Sequence, residues 1–323
     1  MNYENHMFIK NLHPGLFGTS LGLISLSGTW RKFSQLGITQ NLNIDGLLFN
    51  FGVAILGSLT LLFLIKLLID IKNFKNSLNH PVQGSLFALM PVSTLLAISS
   101  YAPNHPEKID LMITITGIAL ILQLITAWKM VGMLSSGKMP TELITPALYL
   151  PVVPGGLVGG MALNAIGFSG FGYLLWGMGV GAWALLEMRI LSHLFKGPLP
   201  EPTRATIGIE MAPAAVSTLT AISLWPAIPV DAILIGLGIA SGPILAVLTR
   251  WKAWTSIPFS FGFWSFSFPV AATASCIIEA VQRGSWPKEV AVISVSLATL
   301  IIGYLALRTL IQLIQGKLLP KAS

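Results

Sequence analysis

GLLFNFGVAILGSLTLLFLIKLLIDI, residues 46–71, holds one lysine, Lys66, and one aspartate, Asp70, both near its end. Wound as an α-helix at about 1.5 Å per residue, such a stretch outreaches a hydrocarbon layer about 30 Å thick. Nine further apolar segments fall at about 14–30, 81–101, 109–134, 144–166, 170–195, 203–224, 229–249, 256–279 and 289–315. The whole chain follows suit, with 54% hydrophobic residues, 10% charged residues and a mean hydropathy of +0.76. Soluble domains carry about a quarter of their residues as charges, so water is not the main solvent here. The fold class expected is an all-α membrane protein of ten transmembrane helices, arranged as five helical hairpins in one domain over residues 1–323. Short tails at about 1–13 and 316–323 complete it.

Connectors rich in turn formers, such as Pro103, Asn104, Pro198, Pro200 and Gly284, suit short hairpins. Grouping the amino terminus, every second connector and the carboxyl terminus collects fourteen of the nineteen Lys and Arg residues. The other side keeps only Arg31, Lys32, Lys108, Arg283 and Lys288. That bias predicts both termini in the cytoplasm and an even number of spans. Residues 1–12 are polar, with a single lysine, and no small-residue cleavage site follows the first apolar stretch, so no signal peptide is expected. The formal charge of +7 comes from scattered residues rather than from a basic run, which argues against nucleic acid as a partner.

Prolines are unevenly shared among the segments. The odd ones carry Pro14, Pro91, Pro151 with Pro154, Pro213 and Pro269, whereas only Pro243 falls within an even one. A proline inside a membrane helix frees a backbone carbonyl and bends the axis, which is tolerated where the helix faces protein or a cavity. Five hairpins, each with a kinked first helix and a straighter second, therefore suggest a repeated unit around a central pore. Proline is also simply common in membrane helices, which is the competing explanation.

Enzyme signatures are absent: there is no His-Glu-x-x-His, no Gly-x-Ser-x-Gly and no phosphate-binding glycine loop. A single cysteine, Cys276, excludes an intrachain disulfide and a thiolate cluster, and no cofactor or metal is expected. Gly155, Gly156, Gly159 and Gly160 form a small-residue packing face. Charges inside lipid are costly and are by default paired or functional. Glu187 and Arg204 are expected to pair at the cytoplasmic rim. Glu210 admits two readings, a proton acceptor in a coupled carrier or a hydrogen-bonded packing residue. In Phe263-Trp264-Ser265-Phe266-Ser267-Phe268-Pro269, Phe268 lies about 13 residues, or roughly 20 Å, past Thr255 and near mid-bilayer. It is either a packed or lipid-facing aromatic like most phenylalanines, or a ring beside a kink that closes a narrow pore.

These residues bring the chain close to a known family. Pro14-Gly15-Leu16-Phe17-Gly18 with Leu21-Gly22, His80-Pro81-Val82, the stretch from Thr145 to Pro151, Arg204 to Ile209 leading into Ala212-Pro213-Ala214, and Phe263 to Phe268 resemble, in order and spacing, the tellurite-resistance/dicarboxylate transporter family. Its members include the bacterial TehA proteins and the slow anion channels of plant guard cells. The resemblance covers nearly the whole chain. It implies a pore inside ten helices, a homotrimer with one pore per subunit, an occluding phenylalanine at Phe268, and a pore kept open by the small Gly18. Pro269 stands where the TehA pattern has glycine, and in this the chain looks more like the plant channels. Glu210 stands where an uncharged residue is expected, and a carboxylate in a lumen repels anions unless it is protonated or paired.

The function expected is transmembrane transport of small inorganic or carboxylate anions through a Phe-gated pore in a plasma membrane, a bacterial inner membrane being the expected setting. Weak binding would come from helix dipoles and hydroxyls such as Thr94 and Ser217. The alternatives are a proton-coupled carrier of dicarboxylates or a tellurite-related oxyanion, and a membrane scaffold without transport.

Overall fold

The computed structural model describes residues 9–38, 43–137 and 139–319. Most of the proposed amino-terminal tail, the last four residues, and Lys138 and Lys321 of the charge count lie outside the described residues.

Among the described residues ten long helical rods follow one another, with the short helices Ile71–Asn79 and Trp251–Thr255 between them. Rod α1 is a 3-10 turn, Pro14–Leu16, running into the α-helix Phe17–Ser34. The others are α2 (Ile44–Ile69), α3 (Pro81–Asn104), α4 (Pro106–Ser135), α5 (Pro146–Ala165), α6 (Ser169–Leu194), α7 (Glu201–Leu224), α8 (Val230–Thr249), α9 (Phe261–Gly284) and α10 (Lys288–Ile314). Rods α2 to α10 are long and apolar enough to cross a membrane, which makes the chain an all-α membrane protein. Rod α1 falls short of that measure because Arg31 and Lys32 end it and the hydroxyl residues Thr19, Ser20, Ser25, Ser27 and Thr29 dilute the rest. All five are buried within the protein, so α1 need not be apolar.

Each odd rod packs along the even rod that follows it. The odd rods also pack on one another in order, α1 on α3, α3 on α5, α5 on α7, α7 on α9, and α9 back on α1, which closes a ring of five. Burial follows this division. Between 56% and 89% of the apolar window is buried in α3, α5, α7 and α9, against 11% to 33% in α2, α4, α6, α8 and α10. The outer rods turn Leu61, Leu68, Trp128, Leu185, Leu245 and Leu300 outward, the surface a hydrocarbon solvent requires.

The proline alternation has a direct structural counterpart. Every odd rod is interrupted near its start; among the even rods of the described residues only α4 is, by the 3-10 turn Pro106–Lys108 ahead of Ile109. Rod α3 breaks at Phe87 and Ala88, between Pro81–Leu86 and Leu89–Tyr101. Rods α5, α7 and α9 begin as the 3-10 segments Pro146–Tyr149, Glu201–Met211 and Phe261–Phe266 and become α-helical at Val153, Ala212 and Ser267. Pro91, Pro154, Pro213 and Pro269 each sit within the first three residues of the α-helical part, and Pro151 lies in the turn before α5 becomes regular. Proline has no N–H to give to a preceding α-turn and clashes with its carbonyl, yet it fits the first turn of a helix. By contrast, α8 continues through Pro243. The ninth rod starts later than the hydropathy suggests, because residues 256–260 are not helical.

A carbonyl freed by proline needs another donor in a dry environment. Gln123, on outer rod α4, supplies one: its Nε2 donates to the carbonyls of Leu150 at 2.9 Å and Pro151 at 2.6 Å. Gln123→Leu leaves both carbonyls unpaired and is expected to cost about 1–3 kcal/mol per orphaned group, seen as lower thermal stability in detergent. The glycine face of α5 is a packing surface. A Cβ on Gly156 would stand 2.7 Å from the Gly179 backbone of α6, so only glycine permits this approach.

Candidate functional site

All five inner rods contribute to one cavity of about 550 Å³. Its mouth is formed by the exposed residues His80, Glu142, Pro200 and Pro202, and its walls by Thr203, Thr206, Ser265 and apolar side chains. The lining reaches Leu21 in α1, Leu89 in α3, Pro154 in α5, Ala212 in α7, and Phe268 with Pro269 in α9, and extends no further along any rod. The cavity is therefore a chamber at the amino-terminal ends of five helices, and those helices all point the same way. Their macrodipoles set five positive ends around it. Among the described residues Glu142, at the mouth, is the only Asp, Glu, Lys or Arg in the lining.

Phe268 is 7% exposed and lies at the inner limit of the chamber, beside Pro269. It is seven residues into α9, about 14 Å at the 3-10 rise of about 2 Å, close to half of a hydrocarbon layer. Among the described residues its ring forms no aromatic pair, although Phe259, Phe263 and Phe266 do. Gly18 lines the chamber, and a Cβ there would meet the Trp264 Cβ at 3.1 Å. Pro91, Pro151 and Pro213 do not line it; they mark the breaks behind its wall.

At the entrance, His13 precedes α1, accepts a hydrogen bond from the Gly15 N–H at Nδ1 (3.1 Å), and stacks on Phe261 with ring centroids 4.2 Å apart. Burial, with the charges of Lys66 and His80, lowers its pKa to about 4, so the imidazole is neutral at physiological pH.

Two expectations for polar groups are corrected, the Glu187–Arg204 pair and the inward hydroxyls of Thr94 and Ser217. Arg204 does not pair with Glu187. Its Nε donates to the Leu199 carbonyl at 3.0 Å and its Nη1 to Ser256 Oγ at 3.3 Å, because the 3-10 start of α7 turns it toward the loops. Glu187 instead accepts from Tyr149 Oη at 2.5 Å and Trp183 Nε1 at 2.7 Å. Glu210 does not face the chamber; it is 3% exposed and turned toward Tyr149 Oη, 3.4 Å away. Neither Thr94 nor Ser217 offers a hydroxyl to the chamber. Thr94 donates to the Met90 carbonyl, and Ser217 receives Trp176 Nε1 from α6.

Tyr149 and Gln123 were not singled out by sequence reasoning, although a glutamine within a long apolar segment is a usable signal. At the far ends of α1 and α9, Glu279 is held by Lys32 and by Arg283, the latter at 3.0 Å. Among the described residues no three His, Cys, Asp or Glu side chains gather as metal ligands.

A closed ring of helices holding a charge-poor chamber inside an apolar shell defines a membrane protein of the channel and transporter class. Residues 11–310 match the SLAC1 family of voltage-dependent anion channels, and the chain belongs to that family. It is 27% identical to the tellurite resistance protein TehA homolog of Haemophilus influenzae over 96% of this chain and 93% of that protein. To the guard cell S-type anion channel SLAC1 of Arabidopsis thaliana it is 24% identical over 85% of this chain, which spans about half of that longer protein, 51%. The family is one of anion channels and transporters rather than enzymes.

Proposed function

We propose that this chain is a small-anion channel whose path runs through the ring of α1, α3, α5, α7 and α9 and is closed by Phe268. The observation that carries the reading is the single chamber built from all five amino-terminal halves, which ends at that ring. Helix dipoles attract an anion there without a fixed cation, and such weak holding lets it leave again. Glu210 lies behind the wall and is not among the residues that line the chamber. This favours the channel over a carrier in which Glu210 meets the substrate.

With this reading we propose ten membrane crossings as five hairpins in a single domain, both termini on the cytoplasmic side, a bacterial inner membrane as the setting, and a homotrimer with one pore per subunit. The trimer follows from the family resemblance, and the orientation from the fourteen-to-five charge count. Lipid and small inorganic or carboxylate anions are then its partners, with chloride, nitrate, malate and tellurite to be compared. Flux of these anions into liposomes, with and without an imposed pH gradient, tests the reading. Fast chloride or nitrate flux that needs no proton gradient is the expected result. Malate or tellurite uptake that requires the gradient, with no chloride flux, replaces the channel by the carrier.

A further inference from the structure

Behind the chamber wall two carboxyl groups meet around one phenol. Tyr149 ends the 3-10 segment of α5, Glu210 is next to last in that of α7, and Glu187 comes from outer rod α6. Tyr149 is fully buried and Glu210 nearly so. The two donors that reach this cluster, Tyr149 Oη and Trp183 Nε1, both converge on Glu187 Oε2. That oxygen therefore has both of the donors within reach. Among the described residues Glu210 receives only the long 3.4 Å contact at Oε1, and no donor reaches its buried Oε2. An ionised oxygen left so, beside a second carboxylate, carries the full cost of desolvation and of like-charge repulsion.

We propose that Glu187 and Glu210 hold one proton between them, and that this buried proton-binding site governs the fit of α5 against α7. A proton on Glu210 supplies the missing donor, because a carboxylic O–H is directed at the neighbouring carboxylate that has none to spare. A metal cation fits less well, since Glu187 Oε2 already accepts two hydrogen bonds. The charged groups on the elements packed around the cluster are Arg189 and His193 on α6, Glu201 and Arg204 on α7, Asp231 and Arg250 at the ends of α8, Lys252 beyond it, and Glu279 with Arg283 toward the far end of α9. Of these Arg204 is engaged with Leu199 and Ser256. Losing the proton sets two carboxylates against each other across the junction of α5 and α7, next to the chamber residues Leu150, Ile209 and Ala212.

This site deepens the channel reading, and its test separates the two. Infrared difference spectra of the protein in lipid, taken from acid to alkaline pH, are expected to lose one carboxylic-acid C=O band, which is absent throughout in Glu210→Gln. Chloride flux at equal pH on both sides is expected to change with the same midpoint in the native protein and to be flat in Glu210→Gln, an uncharged isostere of the protonated state. Should Glu210→Gln fail to insert, Tyr149→Phe, which removes the shared donor, is expected to move the midpoint of the band. A band that persists in Glu210→Gln, a midpoint unmoved in Tyr149→Phe, or a titration that follows sodium concentration instead of pH overturns the proton site. A titrating band with pH-independent flux overturns its control of the wall. Absence of flux at every pH, with the band titrating as described, removes the channel reading and leaves the proton site standing.

Discussion

Phe268→Ala is expected to raise anion conductance in planar bilayers or liposomes at least about tenfold, since lowering the barrier to passage by about 1.4 kcal/mol already does so. The ring stands where the lining of the chamber ends on all five inner rods, and it is the bulkiest side chain at that level beside Leu21, Leu89, Pro154 and Ala212. An anion passing such a plug sheds hydration water without gaining a donor. Removing the ring lets water through with the ion and abolishes that penalty. Truncating a fully packed phenylalanine costs about 3–5 kcal/mol in a typical core, but one side of Phe268 borders open space, so the loss of stability is smaller. Phe268→Leu, with less bulk and no ring, is expected to fall between the two. Unchanged conductance in a normally inserted Phe268→Ala protein sinks the gate assignment.

Much of the architecture is legible before any coordinates. Long apolar stretches such as residues 46–71 mark the rods because a lipid solvent penalises charge wherever it falls along them. The alternating prolines mark the inner rods, because a missing N–H interrupts a helix only where neighbouring protein can meet the freed carbonyl, as Gln123 does for Leu150 and Pro151. Less legible is the form of each break. Whether residues such as 201–211 wind as a 3-10 or an α-helix depends on tertiary contact, and the choice rotates Arg204 and Glu210 to different neighbours. For that reason the expected Glu187–Arg204 pair is replaced by a cluster around Tyr149. The hydroxyls of Thr94 and Ser217 were misplaced for a related cause: helical Thr bonds its own preceding turn, and an indole on a neighbouring rod competes for Ser. The boundary of α9 moved because hydropathy responds to Phe259 and Phe261 but not to the turn and non-helical backbone of residues 256–260.

Ala212→Asp is expected to cut anion flux about a hundredfold. Ala212 is the first residue of the α-helical part of α7, 6% exposed, and lines the chamber at the level of Phe268. A carboxylate there faces a permeating anion at about 6 Å, and with an effective dielectric constant near 20 their repulsion is about 3 kcal/mol, worth about two decades of occupancy. It also cancels part of the positive potential that the five helix ends supply. The fold tolerates the change, because an acidic side chain in the first turn of a helix is favoured by that same dipole, so protein yield and thermal stability should stay close to native. Ala212→Asn, equal in size and uncharged, separates charge from bulk and is expected to retain most of the flux. Cations should gain relative permeability in the aspartate variant, as fixed negative charge in a narrow lumen favours them. Equal anion flux through the Asp and Asn variants would mean that ions do not pass the α7 face of the chamber, and a path through the ring of inner helices would then have to be abandoned.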